Sequence, residues 1–322
     1  WGSSTMRTAG EDFAMALHLL GVKPKWDKGS ERVSGFEIIP IVELERPRLD
    51  VALRVSGLFR DVFPTLSTLF MQAIRALCQK DEAKDWNPYV DQTALSRVFG
   101  PKPGSYGLSM GGLSETLTDA ARKEAGDAWL AASSFSFEGD HVRHEPQSIR
   151  EVVRKADSFV HTQDLRESDL LLASDYATHE AGFAAAQSVT GGSAALYHLD
   201  NTLPHSPRAR SLKEEIARVV QARAANPDWI AGMQRHGFRG AAEIAVTLDH
   251  MAAFANLAGV VGPHLFDSYY EATLGNDEIL NFLKTQNPKA YTSMKTQFDA
   301  LHAAGLWISR RNSVLASLEG VA

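Results

Sequence analysis

Apolar residues recur at helical spacing through most of this chain and alternate with polar ones over only a few short stretches. Phe13, Leu17 and Leu20 form one stripe, three and four residues apart as a single helix face requires. Thr8-Ala9-Gly10-Glu11 ahead of it has capping-box spacing, and Gly21 behind it supplies a stop. Arg32 to Ile39 reads as a short β-rich stretch. In Leu49-Asp50-Val51-Ala52-Leu53-Arg54-Val55 the apolar positions alternate with period two, which predicts a buried strand. Its neighbours are expected to be parallel, because a natural crossover helix follows. Leu66, Leu69, Phe70, Ala73 and Leu77 mark that helix, opened by Pro64.

From about Asp85 onward the strand pattern all but disappears. Ser211-Leu212-Lys213-Glu214 is a second capping box, opening a helix with Leu212, Ile216, Val219 and Val220 inward and closed by Asn226-Pro227. Ile244, Leu248, Met251, Ala252 and Ala255 line the next helix. Asp277 to Leu283 and Lys289 to Ala304 follow, with Gly305 as a C-cap. The pattern predicts an α/β lobe with a parallel sheet over residues 1–85 and a mainly helical lobe over 86–322, a mixed α and β fold dominated by helices.

Composition narrows the function classes. Lys and Arg total 33 against 39 Asp and Glu, a formal net charge of −6, so no bulk positive field is present to grip nucleic acid or anionic lipid. A hydrophobic content of 44% is ordinary for a globular chain. Cys78 is the single cysteine, which excludes an internal disulfide and a cysteine zinc cluster and fits a reducing, cytoplasmic compartment. The longest apolar stretch, Ala252 to Gly262, is too short to span a bilayer. The N-terminal region carries Arg7, Glu11 and Asp12 with no apolar signal core. The sequence opens at Trp1 rather than a methionine, as a processed product or a piece of a longer chain would.

Several motifs fail on their own chemistry. His179-Glu180-Ala181-Gly182-Phe183 begins like a zincin helix, but Phe183 stands where the second histidine is needed. Gly100-Pro101-Lys102-Pro103-Gly104-Ser105 has the letters of a phosphate loop in the wrong order, and its prolines remove N–H donors that a phosphate needs. The chain is therefore expected to lack ATPase activity of its own. His141 and His144 read as a solvated loop or a ligand pair on one turn, and Cys78 as a small buried hydrophobe.

Other clusters are unlike ordinary surface. Ser56-Gly57-Leu58-Phe59-Arg60-Asp61 sits where a strand gives way to a helix, the edge at which α/β sheets bind ligands. It reads equally as a structural turn. Pro103-Gly104-Ser105-Tyr106-Gly107 is a glycine-bracketed loop exposing a hydroxyl and an aromatic ring. Gln163-Asp164-Leu165-Arg166-Glu167-Ser168-Asp169 and Asp175-Tyr176-Ala177-Thr178-His179-Glu180 form the densest concentration of potential ligands and bases, with a solvated charged face as the alternative. His198, Asp200, Asn201 and His205 add a second polar loop.

These residues also carry a resemblance. Arg7 to Asp12, Leu19-Leu20-Gly21-Val22, Trp26-Asp27, Gly35-Phe36-Glu37-Ile38-Ile39-Pro40, Arg46-Pro47-Arg48 and Ser56 to Pro64 resemble the large subunit of aerobic cobaltochelatase. Pro103 to Gly107, Gln163-Asp164, Arg166-Glu167, Ser174-Asp175-Tyr176, Asn226 to Ile230, Arg235-His236-Gly237-Phe238 and Leu306-Trp307 continue the match in register. The large subunit of magnesium chelatase is similar at Ser56 to Asp61 and around Asn226-Pro227, but the match to the cobalt enzyme is closer. Family large subunits are several times longer, so the chain is similar to a C-terminal portion of one.

The resemblance implies ATP-dependent insertion of Co²⁺ into hydrogenobyrinic acid a,c-diamide, in aerobic cobalamin biosynthesis. ATP would be hydrolysed by an AAA+ subunit and its companion, so the expected partners are those two, the corrinoid and the rest of the large subunit. The isolated chain is expected to be inactive. On this resemblance Glu180 and His179 carry the catalysis, and Glu180, Asp175, His198 and Asp200 approach the metal. Arg60, Ser56, Ser105, Tyr106 and Tyr176 contact the substrate. Imidazole and carboxylate suit both Co²⁺ and proton transfer, and a guanidinium fork suits peripheral carboxylates of a macrocycle. The chain departs from the family pattern at Ala177, Thr178 and His179, where aromatic or amide residues are expected, and at Asn201 and His205. Two alternatives stay open: a chelatase for magnesium or nickel, and a scaffold region that docks the ATPase subunits while metal and ring bind elsewhere.

Overall fold

The computed structural model describes residues 2–30, 32–92, 96–108, 110, 116–309, 311 and 314. It is a mixed α and β fold dominated by helices, and it divides into two compact units. One comprises Trp1–Ser109 with Leu130–Val152, the other Met110–Trp129 with Val153–Ala322.

In the first unit the helix Glu11–Leu20 buries Phe13, Leu17 and Leu20 and ends at Gly21, whose φ of 78° is the left-handed conformation a glycine stop adopts. The capping box expected at Thr8 is not formed. Gly10 is the N-cap, and the Thr8 hydroxyl donates to the Ser4 carbonyl. Strands β1 (Val22–Trp26) and β2 (Val33–Ile38) pair as an antiparallel ribbon. A second sheet runs β3 (Leu53–Arg54), β4 (Val98–Gly100), β5 (Phe135–Glu138) and β6 (His141–His144) in that spatial order. Its β3–β4 pair is parallel, and β4–β5 and β5–β6 are antiparallel.

The alternating stretch Leu49 to Val55 is therefore strand only at Leu53–Arg54, on a sheet edge, although Leu53 and Val55 are buried. Other groups hold the backbone before β3. Leu49 N–H donates to the Leu19 carbonyl and Val51 N–H to the Tyr89 hydroxyl, and Leu49 itself is exposed. The helix Pro64–Cys78 buries Leu69, Phe70, Ala73, Ile74 and Leu77 in one core with Phe13, Leu17, Leu20, Val55 and Phe59. His141 and His144 lie on exposed β6, not on a helical turn, and Cys78 is half-buried.

The second unit holds a three-stranded sheet, β7 (Ser158–Gln163), β8 (Ala195–Asp200) and β9 (Arg208–Ser211), in that order. β7 and β8 are parallel, and β9 is antiparallel to β8. Between β7 and β8 the chain makes the helical crossover that a parallel pair requires. It runs through Ser174–Tyr176, a π turn at Ala177–Ala181, and Gly182–Thr190. Ser211 and Glu214 form the expected capping box on the helix Leu212–Val219, which runs into a second π turn at Val220–Ala224. Asn226 caps the following helix Pro227–Gln234. The long helix Gly237–Ala258 buries Ile244, Leu248, Met251, Ala252 and Ala255, and packs on Asp277–Gln286 and Pro288–Ala303.

The expectation of almost no strand beyond Asp85 is overturned by β4 to β9. Four of these are three or four residues long, and β7 and β8 bury polar side chains on one face, which erases the apolar alternation that marks a strand. Among the described residues no helix is long and apolar enough to cross a membrane.

Candidate functional site

The β7–β8 register sets His161 opposite His198 and Gln163 opposite Asp200. Side chains two apart on a strand share a face, so this parallel pair presents two imidazoles, an amide and a carboxylate together. The crossover helix lays Glu180 against them from the π turn. Such turns insert one residue into helical spacing and recur at functional sites. Here Glu180 is 1% exposed rather than solvated.

Glu180 Oε1 lies 2.8 Å from His198 Nδ1 and 3.0 Å from His161 Nδ1. Gln163 Nε2 donates to the carbonyls of Leu165 and Ser168, which fixes its Oε1 as the acceptor 2.9 Å from His198 Nε2. His198 Nε2 must therefore carry a hydrogen, and a proton must also sit between Nδ1 and Glu180. Burial pushes the Glu180 carboxyl up, but hydrogen bonds from His161 and His198 outweigh it and hold the group below the usual carboxylate range. Burial pushes His198 down, and the hydrogen bond and charge of Glu180, with Glu215 and Asp200 farther off, leave it raised. The pair is an imidazolium and a carboxylate. Among the described residues Glu180 Oε2 is buried with no hydrogen-bond partner, an unmet acceptor beside a full ion pair.

The surrounding groups complete the electrostatics. The Tyr176 ring lies 5.3 Å from His161 and 5.5 Å from His198, and His179 lies 5.3 Å from His161. Tyr176 and Glu180 thus share the inward side of the helix. Asp175 is exposed in its first turn. The Asp200 carboxylate accepts from Thr202 N–H at 3.1 Å and its hydroxyl at 2.7 Å, and faces Arg210 at 3.8 Å. Glu215 is buried between Arg210 and Arg218. Of the residues named from the sequence, Glu180, His198 and Tyr176 converge, His179 borders them through His161, and Asp175 stands apart. Both ring nitrogens of His198 are engaged, so in this arrangement the ring offers an ion no lone pair. Among the described residues no group of three or more His, Cys, Asp or Glu side chains is arranged to hold a metal.

His161 was missed in the sequence, as was the role of Gln163 as the partner that orients His198. A signal existed: His161/Gln163 and His198/Asp200 repeat one i, i+2 polar spacing on either side of a helical stretch.

A stability profile follows from the ion pair. Glu180 has a depressed folded pKa, so its contribution is present above the ordinary 4.5 and is lost as pH falls through the folded value. His198 has a raised one, so its contribution is full below 6.5 and is lost as pH rises through the folded value. Measured relative to a Glu180→Leu/His198→Leu variant, which cancels the opposite slope of the depressed His250, the urea midpoint is expected to plateau between these limits and fall on both sides. A profile flat from pH 4 to 8 would contradict the pair.

In the first unit Arg60, Asp61 and Tyr106 form a separate cluster. Arg60 Nε and Nη2 donate to the Asp61 carboxylate at 2.7 and 3.1 Å, while Nη1 donates to the carbonyls of Pro101 and Lys102. The Tyr106 hydroxyl donates to Asp61 at 2.8 Å. Gly57 allows this closeness, because a Cβ there would lie 2.5 Å from the Ser105 carbonyl. Ser56 is the N-cap of the helix Gly57–Val62, accepting from Phe59 N–H. Arg60 ties the Pro101–Gly107 loop down, Ser105 is exposed, and the Tyr106 ring is 60% exposed.

The family model described as CobN/Magnesium Chelatase matches residues 1–314, and the chain belongs to that family. It is 39% identical, over its whole length, to the aerobic cobaltochelatase subunit CobN of a Sinorhizobium species, and 38% identical over 95% of its length to that of Pseudomonas aeruginosa. It covers 27% and 26% of those proteins, so the chain spans about a quarter of their length. The chloroplastic magnesium-chelatase subunit ChlH of rice is more distant, 25% identical over 95% of the chain and 23% of that protein. The structure of the catalytic subunit of cobaltochelatase from Mycobacterium tuberculosis superposes with a TM-score of 0.91 at 33% identity, covering all of this chain and 29% of that one.

Proposed function

We propose that this chain is part of the large subunit of a cobalt chelatase and that its Glu180 cluster handles protons during metal insertion. Placing a divalent cation in a macrocycle displaces ring N–H protons, which need an acceptor. The observation that carries the reading is Glu180: a buried carboxylate with one oxygen shared by two imidazoles and the other without a partner. His161, with 22% of its side chain exposed, links that carboxylate toward solvent, so a proton taken up inside has an exit. His179 and Tyr176 border the route. The substrate is a corrinoid, hydrogenobyrinic acid a,c-diamide, and Co²⁺ is its metal. Within the first unit taken by itself, exposed Ser105 and Tyr106, on the loop that Arg60 ties down, are the proposed substrate contacts. ATP is hydrolysed by an AAA+ subunit and its companion in the cytoplasm, and this stretch adds no phosphate loop of its own. The similarity to CobN subunits supports the metal and the reaction class.

Glu180→Gln in the complete complex tests the reading. It keeps shape and removes the charge, and is expected to slow chelation about a hundredfold, the scale of a lost general base. An unchanged cobalt dependence assigns Glu180 as base, and a weakened one assigns it as ligand. A normal rate with normal cobalt dependence overturns both.

A further inference from the structure

Outside the carboxyl ends of β7 and β8, the edge at which parallel strands present ligand sites, two loops are fixed by groups that also build the Glu180 cluster. The Asn201 N–H joins the two strand ends by donating to the Gln163 carbonyl at 2.8 Å. Gln163, whose oxygen orients His198, spends both amide hydrogens on the carbonyls of Leu165 and Ser168 and so clips the loop after β7. Asp200 holds Thr202, in the loop after β8, by its N–H and its hydroxyl. Arg166 bridges the two loops, its Nε donating to the Thr202 carbonyl at 3.0 Å.

That bond engages one N–H of the guanidinium. Among the described residues neither Nη group of Arg166 has a partner, and the exposed side chain is in no ion pair. Asp200 is taken by Thr202 and faces Arg210, and exposed Glu167 is not bonded to its neighbour. An arginine pinned at Nε presents the fork of Nη1 and Nη2 outward, the arrangement that grips an oxyanion bidentately. Exposed Arg208, opposite Asp200 in the sheet, adds positive charge at the same edge. Leu165 and Leu203, the residues next to the bridged pair, are both exposed, so the fork has apolar surface beside it.

We propose that this edge is a subsite for a carboxylate carried on an apolar body, with the Arg166 fork on the carboxylate and Leu165 and Leu203 against the body. Phosphate would answer the fork and leave the leucines without a counterpart. The identity of the carboxylate rests on the chelatase reading: it is a rim group of the macrocycle, held at the loop that Gln163 ties to the Glu180 cluster.

Benzoate, benzamide and inorganic phosphate are the probes. Each is titrated into the ¹⁵N-labelled 322-residue chain and followed by NMR at the Arg166 Nε–H and the Leu165 and Leu203 amides. Benzoate is expected to shift these signals saturably and to bind about tenfold tighter than benzamide, the scale of one charge-assisted hydrogen bond. Arg166→Gln is expected to erase that preference, and Arg166→Lys to keep only part of it if the glutamine variant folds poorly. Equal binding of benzoate and benzamide, tighter binding of phosphate than of benzoate, or an unchanged preference in the variants would overturn the subsite. In the complete complex Arg166→Gln is expected to raise the KM for the corrinoid about tenfold, against the rate effect of Glu180→Gln, and an unchanged KM would overturn the assignment to the substrate. The titrations use no corrinoid, metal or ATP, so they decide the subsite even where the chelatase reading fails.

Discussion

His198→Leu is expected to lower the stability of the second unit by about 3–5 kcal/mol, the scale of removing one partner from a buried ion pair. Leucine leaves the Glu180 carboxylate buried with only His161 on its engaged oxygen, and leaves Gln163 Oε1 without its donor. Most of the loss comes from the abandoned charge, so His198→Leu/Glu180→Leu is expected to recover more than half of it. Urea unfolding of the wild type and the two variants at pH 6 measures this directly. A double variant no more stable than the single one would place the loss in packing instead. The single variant should also lose the fall above pH 6.5 that His198 contributes.

In the first unit Arg48→Met is expected to cost a similar 3–5 kcal/mol. The guanidinium is fully buried, holds Glu82 bidentately at 2.8 Å, and donates to the carbonyls of Leu20, Gly21 and Ile39. It joins the end of the first long helix to β2 and to the loop after Pro64–Cys78. Methionine matches its length but removes the guanidinium from Glu82, which keeps only Asn87, and from the carbonyls of Leu20, Gly21 and Ile39. Arg48→Lys is expected to restore less than half, because one ammonium cannot make a planar fork to a carboxylate and reach carbonyls on the other side. A lysine variant of wild-type stability would mean that charge, not geometry, holds this junction.

The helices were legible because their signals are local. The Phe13–Leu17–Leu20 stripe, the Ser211–Glu214 box and Pro64 act within a few residues of where they stand. Of the strands, β2 was legible as the Arg32 to Ile39 stretch and β3 only as the end of Leu49 to Val55, since β3 is two residues long and β1 contains Pro24 and two lysines. In β7 and β8 the buried face carries His161, Gln163 and His198, so the usual apolar period is missing where the chemistry sits. Glu180 and His198 were legible as residue types in a polar cluster. That they share a proton under the control of Gln163 depends on strand register, which no local pattern encodes.

The separations along the chain within the Glu180 cluster are short: 18 and 19 residues from the carboxylate to the two imidazoles, and 35 from His198 to Gln163. One β–helix–β segment supplies all four side chains. Loop closure over such spans carries a small entropic penalty, and contacts this close in sequence form readily during folding. The cluster can therefore assemble before the long helix Gly237–Ala258 and the helices after it have docked. The polar centre is then a product of early collapse rather than of final packing, and lesions in the last eighty or so residues would leave its geometry to form on its own.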